Sequence, residues 1–108
     1  MLEKASRRFA QIPIAETAKV RRRSIGLIAP EPDELGRVAG LEFETGTDDL
    51  DSYRAAGVRF FDGRDYVLVR YETGPAGTLV MASQEDQTPV EVIERELTGR
   101  EGLRAAQS

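Results

Sequence analysis

The chain contains no cysteine, no histidine and no tryptophan. Without cysteine there is no disulfide, no thiolate nucleophile and no Cys-ligated zinc. Without histidine the commonest general base and the commonest transition-metal ligand are missing. Carboxylates and lysines remain, but no stretch carries a catalytic, metal or cofactor signature. The reading leans away from an enzyme and requires no cofactor. No run of about 18 apolar residues occurs, and no apolar segment follows the N-terminal charges to make a signal peptide. The expectation is a cytoplasmic protein without a membrane partner.

Length and charge bound the rest. At 108 residues the chain reads as one domain spanning 1–108. A domain of this size buries roughly two-thirds of its unfolded surface, enough for one core without disulfides or metal. Residues 1–30 hold seven Lys/Arg against Glu3 and Glu16, a net of +5. The other eight Lys/Arg face 17 acids, a net of −9. Residues 1–29 are therefore read as a basic N-terminal helix and arm that meets an anionic partner, its own acidic body, or that of a second copy.

The stretch 58–84 organises the chain as a three-stranded antiparallel meander. A two-residue loop at Gly63-Arg64 suits a type II′ turn and pairs Phe60 with Val67 and Val58 with Val69. It also sets Asp62 against Asp65, a mild like-charge cost that leaves a looser loop open. A four-residue loop at Gly74-Pro75-Ala76-Gly77 pairs Tyr71 with Val80 and Val69 with Ala82. With alternating side chains, one face then collects Val58, Phe60, Val67, Val69, Tyr71, Val80 and Ala82. The other collects Arg59, Phe61, Tyr66, Leu68, Arg70, Glu72, Leu79, Met81 and Ser83.

Before the meander, Leu2, Ala5 and Phe9 predict a short helix ending near Gln11, ahead of Pro13. Residues 15–23 tolerate helix and 24–29 read as strand; a strand over 19–29 is preferred. Residues 32–40 predict a short helix with Leu35, Val38 and Ala39 inward and Gly40 as its stop. Residues 41–45 alternate as a strand with Leu41, Phe43 and Thr45 on one face. Residues 47–57 predict a helix capped at Thr47 or Asp48 and ended by Gly57. After the meander, Thr88 as N-cap, Pro89 and Glu91 form a capping box for a helix with Val90, Ile93 and Leu97 buried and Gly99 as stop. Residues 100–108 read as a frayed tail. The fold class expected is α+β: an antiparallel sheet of about four or five strands with three or four helices mainly on one side.

Three features compete as sites. Lys19, Arg21, Arg22 and Arg23 form a possible anion-binding cluster, or a solvated edge strand guarded by charge. Asp48, Asp49 and Asp51 lack the spacing of a calcium loop and read as helix-start acids. The second meander face mixes aromatic, arginine and apolar residues, the types enriched at protein interfaces. The functional expectation is a small non-enzymatic protein-binding or regulatory module, self-associating as a homodimer. Arg59, Phe61, Tyr66, Arg70 and Met81 stand at or near the contact. The outer edge of strand 78–84 is expected to pair with the 19–29 arm or with a second chain. The alternatives are a nucleic-acid-binding module using the basic arm and, last, a carboxylate-based enzyme.

Overall fold

The computed structural model describes residues 9–17, 22–47 and 51–99. Six strands make one antiparallel sheet: β1 (Phe9–Ile12), β2 (Arg22–Ile28), β3 (Glu44–Thr47), β4 (Ser52–Phe60), β5 (Asp65–Tyr71) and β6 (Thr78–Ser83). Two α-helices stand among the described residues, α1 (Pro32–Ala39) and α2 (Val90–Thr98), with a 3-10 turn at Ile14–Glu16. The lateral order is β1-β4-β5-β6-β2, and β3 also pairs with β4. Because β5 occupies one side of β4, β1 and β3 share the other, end to end.

The α+β expectation is corrected: the fold is sheet-rich, with six strands and two helices among the described residues. Two segments account for the difference. Of the helix expected over 47–57, Thr47 instead ends β3 and residues 52–57 form the first half of β4, flanked by β3 and β5 along Tyr53–Ala55. Ala55 and Ala56 suit a helix by propensity, but a central strand with partners on both edges overrides that preference. Of the helix expected to end near Gln11, the described residues from Phe9 onward are instead strand β1, where Phe9 is opposite Phe60 with ring centroids 5.6 Å apart. Leu2, Ala5, Asp48, Asp49, Leu50 and the 100–108 tail lie outside the described residues.

The meander exists, but in another register. Gly63 N–H donates to the Phe60 carbonyl and Phe60 N–H to the Arg64 carbonyl, both at 2.8 Å, with Gly63 at φ 98°. This is a three-residue loop, a tight turn closed by a left-handed glycine. It pairs Arg59 with Asp65, Val58 with Tyr66 and Gly57 with Val67, three residues away from the expected alignment. The charges explain the choice. The two-residue loop opposes Asp62 and Asp65; the three-residue loop gives each acid an arginine, Arg59–Asp65 at 2.7 Å and Arg64–Asp62 at 2.8 Å. The second hairpin is displaced equally, with Tyr66 opposite Ala82 and Val69 opposite Leu79. An odd displacement turns a strand over. Two of them cancel between β4 and β6 and leave β5 alone inverted.

Both helices cover one face. Leu35 and Ala39 of α1 and Ile93 and Leu97 of α2 join Val58, Phe60, Tyr66, Leu68, Val80 and Ala82 in the main core. Gly40 and Gly99 end the helices in the left-handed conformation, as expected. The capping box does not form: Pro89 is the N-cap, with no side-chain cap bond. Thr88 turns the other way, its N–H donating to Asp86 Oδ1 at 2.8 Å and its hydroxyl receiving Arg64 Nη1 at 3.4 Å. β3 starts at Glu44, because Leu41 and Phe43 leave the sheet to reach the main core.

The β5–β6 connection is held by a polar clamp. Glu31 accepts Arg70 Nε and the Gly77 N–H, both at 2.8 Å. Arg70 Nη1 donates to the carbonyls of Tyr71, Gly74 and Pro75. The Gly77 bond, and then Arg70, outweigh a desolvation cost and hold the Glu31 carboxyl below its ordinary range. A depressed carboxylate contributes stability above its unfolded pKa and loses it as pH falls through the folded value. Glu31→Gln is thus expected to be less stable than wild type near neutrality and to converge with it in acid. Urea midpoints from about pH 7 to about pH 3 check this; parallel curves across that range would refute it.

Candidate functional site: the helix-free face of the sheet

The second face carries its own apolar cluster. Successive cross-strand pairs line up in rows. Tyr53 stands opposite Tyr71, with ring centroids 5.8 Å apart and an edge-on angle of 68°. Ala55, Val69, Leu79 and Leu27 form the next row across four strands. Gly57, Val67, Met81 and Ser24 form a third. Arg59 and Asp65 close the far end. Ala55, Val67 and Val69 are buried; Tyr53, Tyr71, Leu79 and Met81 pack around them, half-buried. Leu27, on the outer strand β2, remains 43% exposed.

One end of this face is strapped by the chain. After β1, residues 13–17 cross over Gly57, whose side-chain direction belongs to this face. A Cβ there would lie 2.9 Å from the Ile12 carbonyl oxygen and 2.9 Å from Thr17 Cγ2. Gly57 therefore serves close approach of two backbones, where a helix stop was expected. Ile14 packs on the apolar cluster, and the Glu16 carbonyl accepts Arg59 Nη2 at 3.1 Å. Arg59 also holds Asp65 through two bonds, 2.7 and 3.0 Å, and this partner raises the guanidinium pKa. At the other end, a pocket of about 50 Å³ opens between Leu27, Val69, Tyr71, Pro75 and Leu79. That is room for part of one aliphatic side chain.

The five contact residues expected together are divided. Arg59 and Met81 lie on the helix-free face, Met81 in the Val67 row. Tyr66 is fully buried under the helices, and Arg70 is committed to the loop clamp. Phe61 sits at the hairpin tip, 74% exposed. The inversion of β5 causes this division, exchanging Tyr66, Leu68 and Arg70 for Val67, Val69 and Tyr71. Tyr53, Ala55 and Leu27 were absent from the sequence reading of this face. The Arg59–Asp65 pairing is the signal that finds Val67, Val69 and Tyr71, whereas Tyr53, Ala55 and Leu27 follow only from the pairing of the whole of β4 and of β2.

The basic cluster is described only in part. Lys19 and Arg21 lie outside the described residues. Arg22 Nη1 donates to Thr17 Oγ1 at 2.6 Å, and Arg23 Nη2 to the Asp86 carbonyl at 2.9 Å. β2 carries both arginines and pairs with β6, so the outer edge of β6 is filled within the chain. Arg64 plays a part that its turn position did not announce. It stacks over Phe60 at 4.9 Å and joins Asp62 to Glu96 of α2 at 3.2 Å, and the Asp62 bonds raise its pKa. Burial, then the bond to Asp86, raises that of the neighbouring Tyr66.

Asp51 serves the fold: Thr73 donates to it through its hydroxyl at 2.6 Å and its N–H at 3.0 Å, which lowers its pKa. Among the described residues no group of three acids converges on a metal-sized site, and no helix is long and apolar enough to cross a membrane. Compared with known proteins, the chain matches no family model, no curated protein and no solved structure.

Proposed function

We propose that the chain is a non-enzymatic protein-binding module whose recognition surface is the helix-free face of the sheet. The observation that supports this is the second apolar cluster itself. Its Val69 row runs out to a partly exposed leucine, beside a small apolar pocket and two half-buried tyrosines. Aromatic and aliphatic anchors around a small pocket are what concentrates binding energy at protein interfaces. The charges of the face, Arg59 and Asp65, satisfy each other, so they repel neither another protein nor an identical face. The β6 edge no longer motivates a homodimer, because β2 covers it. A homodimer through the face itself is the self-association that this reading allows.

Leu79→Lys tests the surface. The substitution places an ammonium in the middle of the Val69 row, while its flexible stem lets the charge reach water. The expected result is a folded protein that no longer retains partners captured by wild type from a lysate of the source cells. Light scattering at high micromolar concentration is the companion measurement for self-association. Identical capture by wild type and variant, together with identical mass, would defeat the proposal.

A further inference from the structure

β2 forms one outer edge of the sheet, and among the described residues nothing pairs with its far side. Arg22, Arg23, Ser24 and Leu27 are exposed along it. Charge on an edge strand guards against uncontrolled pairing. Charge of one sign does so selectively: it opposes a like-charged strand and favours one of opposite sign. Arg22 stands opposite Ser83 and Arg23 opposite Ala82, so one arginine marks each face of this edge. Among the described residues each donates one hydrogen bond, to Thr17 and to Asp86, and a guanidinium carries five donors. At the opposite end of β2, Leu27 borders the 50 Å³ apolar pocket. The edge is thus basic at its start and apolar at its end, separated by a register irregularity between Ser24 and Gly26.

We infer that this edge receives an extended acidic segment of a partner protein by strand addition. Main-chain bonds to β2 supply affinity, acids meet Arg22 and Arg23, and one aliphatic side chain covers Leu27 and enters the pocket. The inference rests on the protein-binding reading above, since Leu27 and Leu79 belong to both surfaces, and it adds the chemistry and backbone conformation of the partner.

The probe is a labelled, end-capped octapeptide with consecutive glutamates in one half and valine and leucine in the other, made in both orders along the chain and compared with its lysine counterpart. Binding is followed by fluorescence polarisation at low and physiological salt, and by amide shifts. The acidic peptide is expected to bind, to shift β2 amides and to weaken with salt. Affinity should fall roughly tenfold in the Arg22→Glu/Arg23→Glu double variant, which should in turn accept the lysine peptide. Leu27→Asp should abolish binding of the acidic peptide. Thermal melts verify that each variant is folded, as expected for exposed positions. Equal binding of both peptides, shifts remote from β2, or no binding by either would overturn the inference. So would binding of single-stranded RNA but not of the acidic peptide. So would self-association of the protein alone that the double variant abolishes, which would give the edge to a second copy. If Leu79→Lys loses captured partners while the edge variants keep them, the edge inference fails and the face reading stands. If peptide binding needs β2 and capture is indifferent to Met81→Lys, on the face but outside the pocket, the face reading fails and the edge inference stands.

Discussion

Gly77→Ala is expected to destabilise the protein by about 2–6 kcal/mol, the sum of two costs of ~1–3 kcal/mol each. Gly77 has φ 97°, a conformation that L side chains rarely adopt. A Cβ there would also clash with the carbonyl oxygen of Ile28, a backbone atom that cannot rotate away. Relief by moving the loop breaks the Gly77–Glu31 bond and disturbs Thr78, whose buried hydroxyl donates to the Pro30 carbonyl at 2.7 Å. Chemical denaturation measures the effect. At Gly63, also at positive φ, nothing lies within 4 Å of a Cβ. Gly63→Ala therefore isolates the dihedral cost, and should lose about 1–3 kcal/mol. Equal losses at the two sites would remove the steric contribution.

Tyr66→Ala is expected to cost a comparable amount, about 3–5 kcal/mol, as for other large aromatic truncations. Tyr66 is fully buried, edge-on to Phe60 at 5.6 Å, below both helices. Its hydroxyl receives Arg64 Nη1 at 3.4 Å in the group that ties the β4–β5 turn to α2. Tyr66→Phe keeps the ring and should lose only about 1 kcal/mol. The pair of variants also checks the register. On the opposite face Tyr66 would lack the cover of both helices and its bond to Arg64, and Tyr66→Ala would then cost well under about 3 kcal/mol.

What the sequence disclosed depended on how local the physics was. α1, the stops at Gly40 and Gly99, and the stripe of Ile93 and Leu97 are decided within a few residues, and all were legible. The meander was legible as three strands, and Val58, Phe60, Val80 and Ala82 were placed on the core face correctly. β5 was not, because Val67, Leu68 and Val69 are all apolar and either face of that strand could be buried. Only the charges at the turn discriminate, and the weight of Arg59 and Arg64 had to be set against a favourable two-residue glycine loop. β1 and the first half of β4 were illegible for another reason: their partners, Phe60 for Phe9 and Tyr71 for Tyr53, are distant in sequence. The candidate face inherited both errors. Leu79 and Met81 were assigned to it from β6, whereas Tyr53, Ala55, Val67, Val69 and Leu27 became visible only with the pairing complete.

The strap over Gly57 sets an order for assembly on the ribosome. β1 and β2 emerge early, yet Phe9 pairs with Phe60 and Arg22 with Ser83. At about 5–20 residues per second, the N-terminal strands wait several seconds for their templates. β4, β5 and β6 are neighbours in sequence and can close by short loops during that interval, the cheaper contacts in loop entropy. β1 and β2 then add to opposite rims of the finished meander. β1 and β2 are thus tied down after the strands between them, and residues 13–17 seal the end of the sheet that the strap crosses while the Val69 row stays open beyond it.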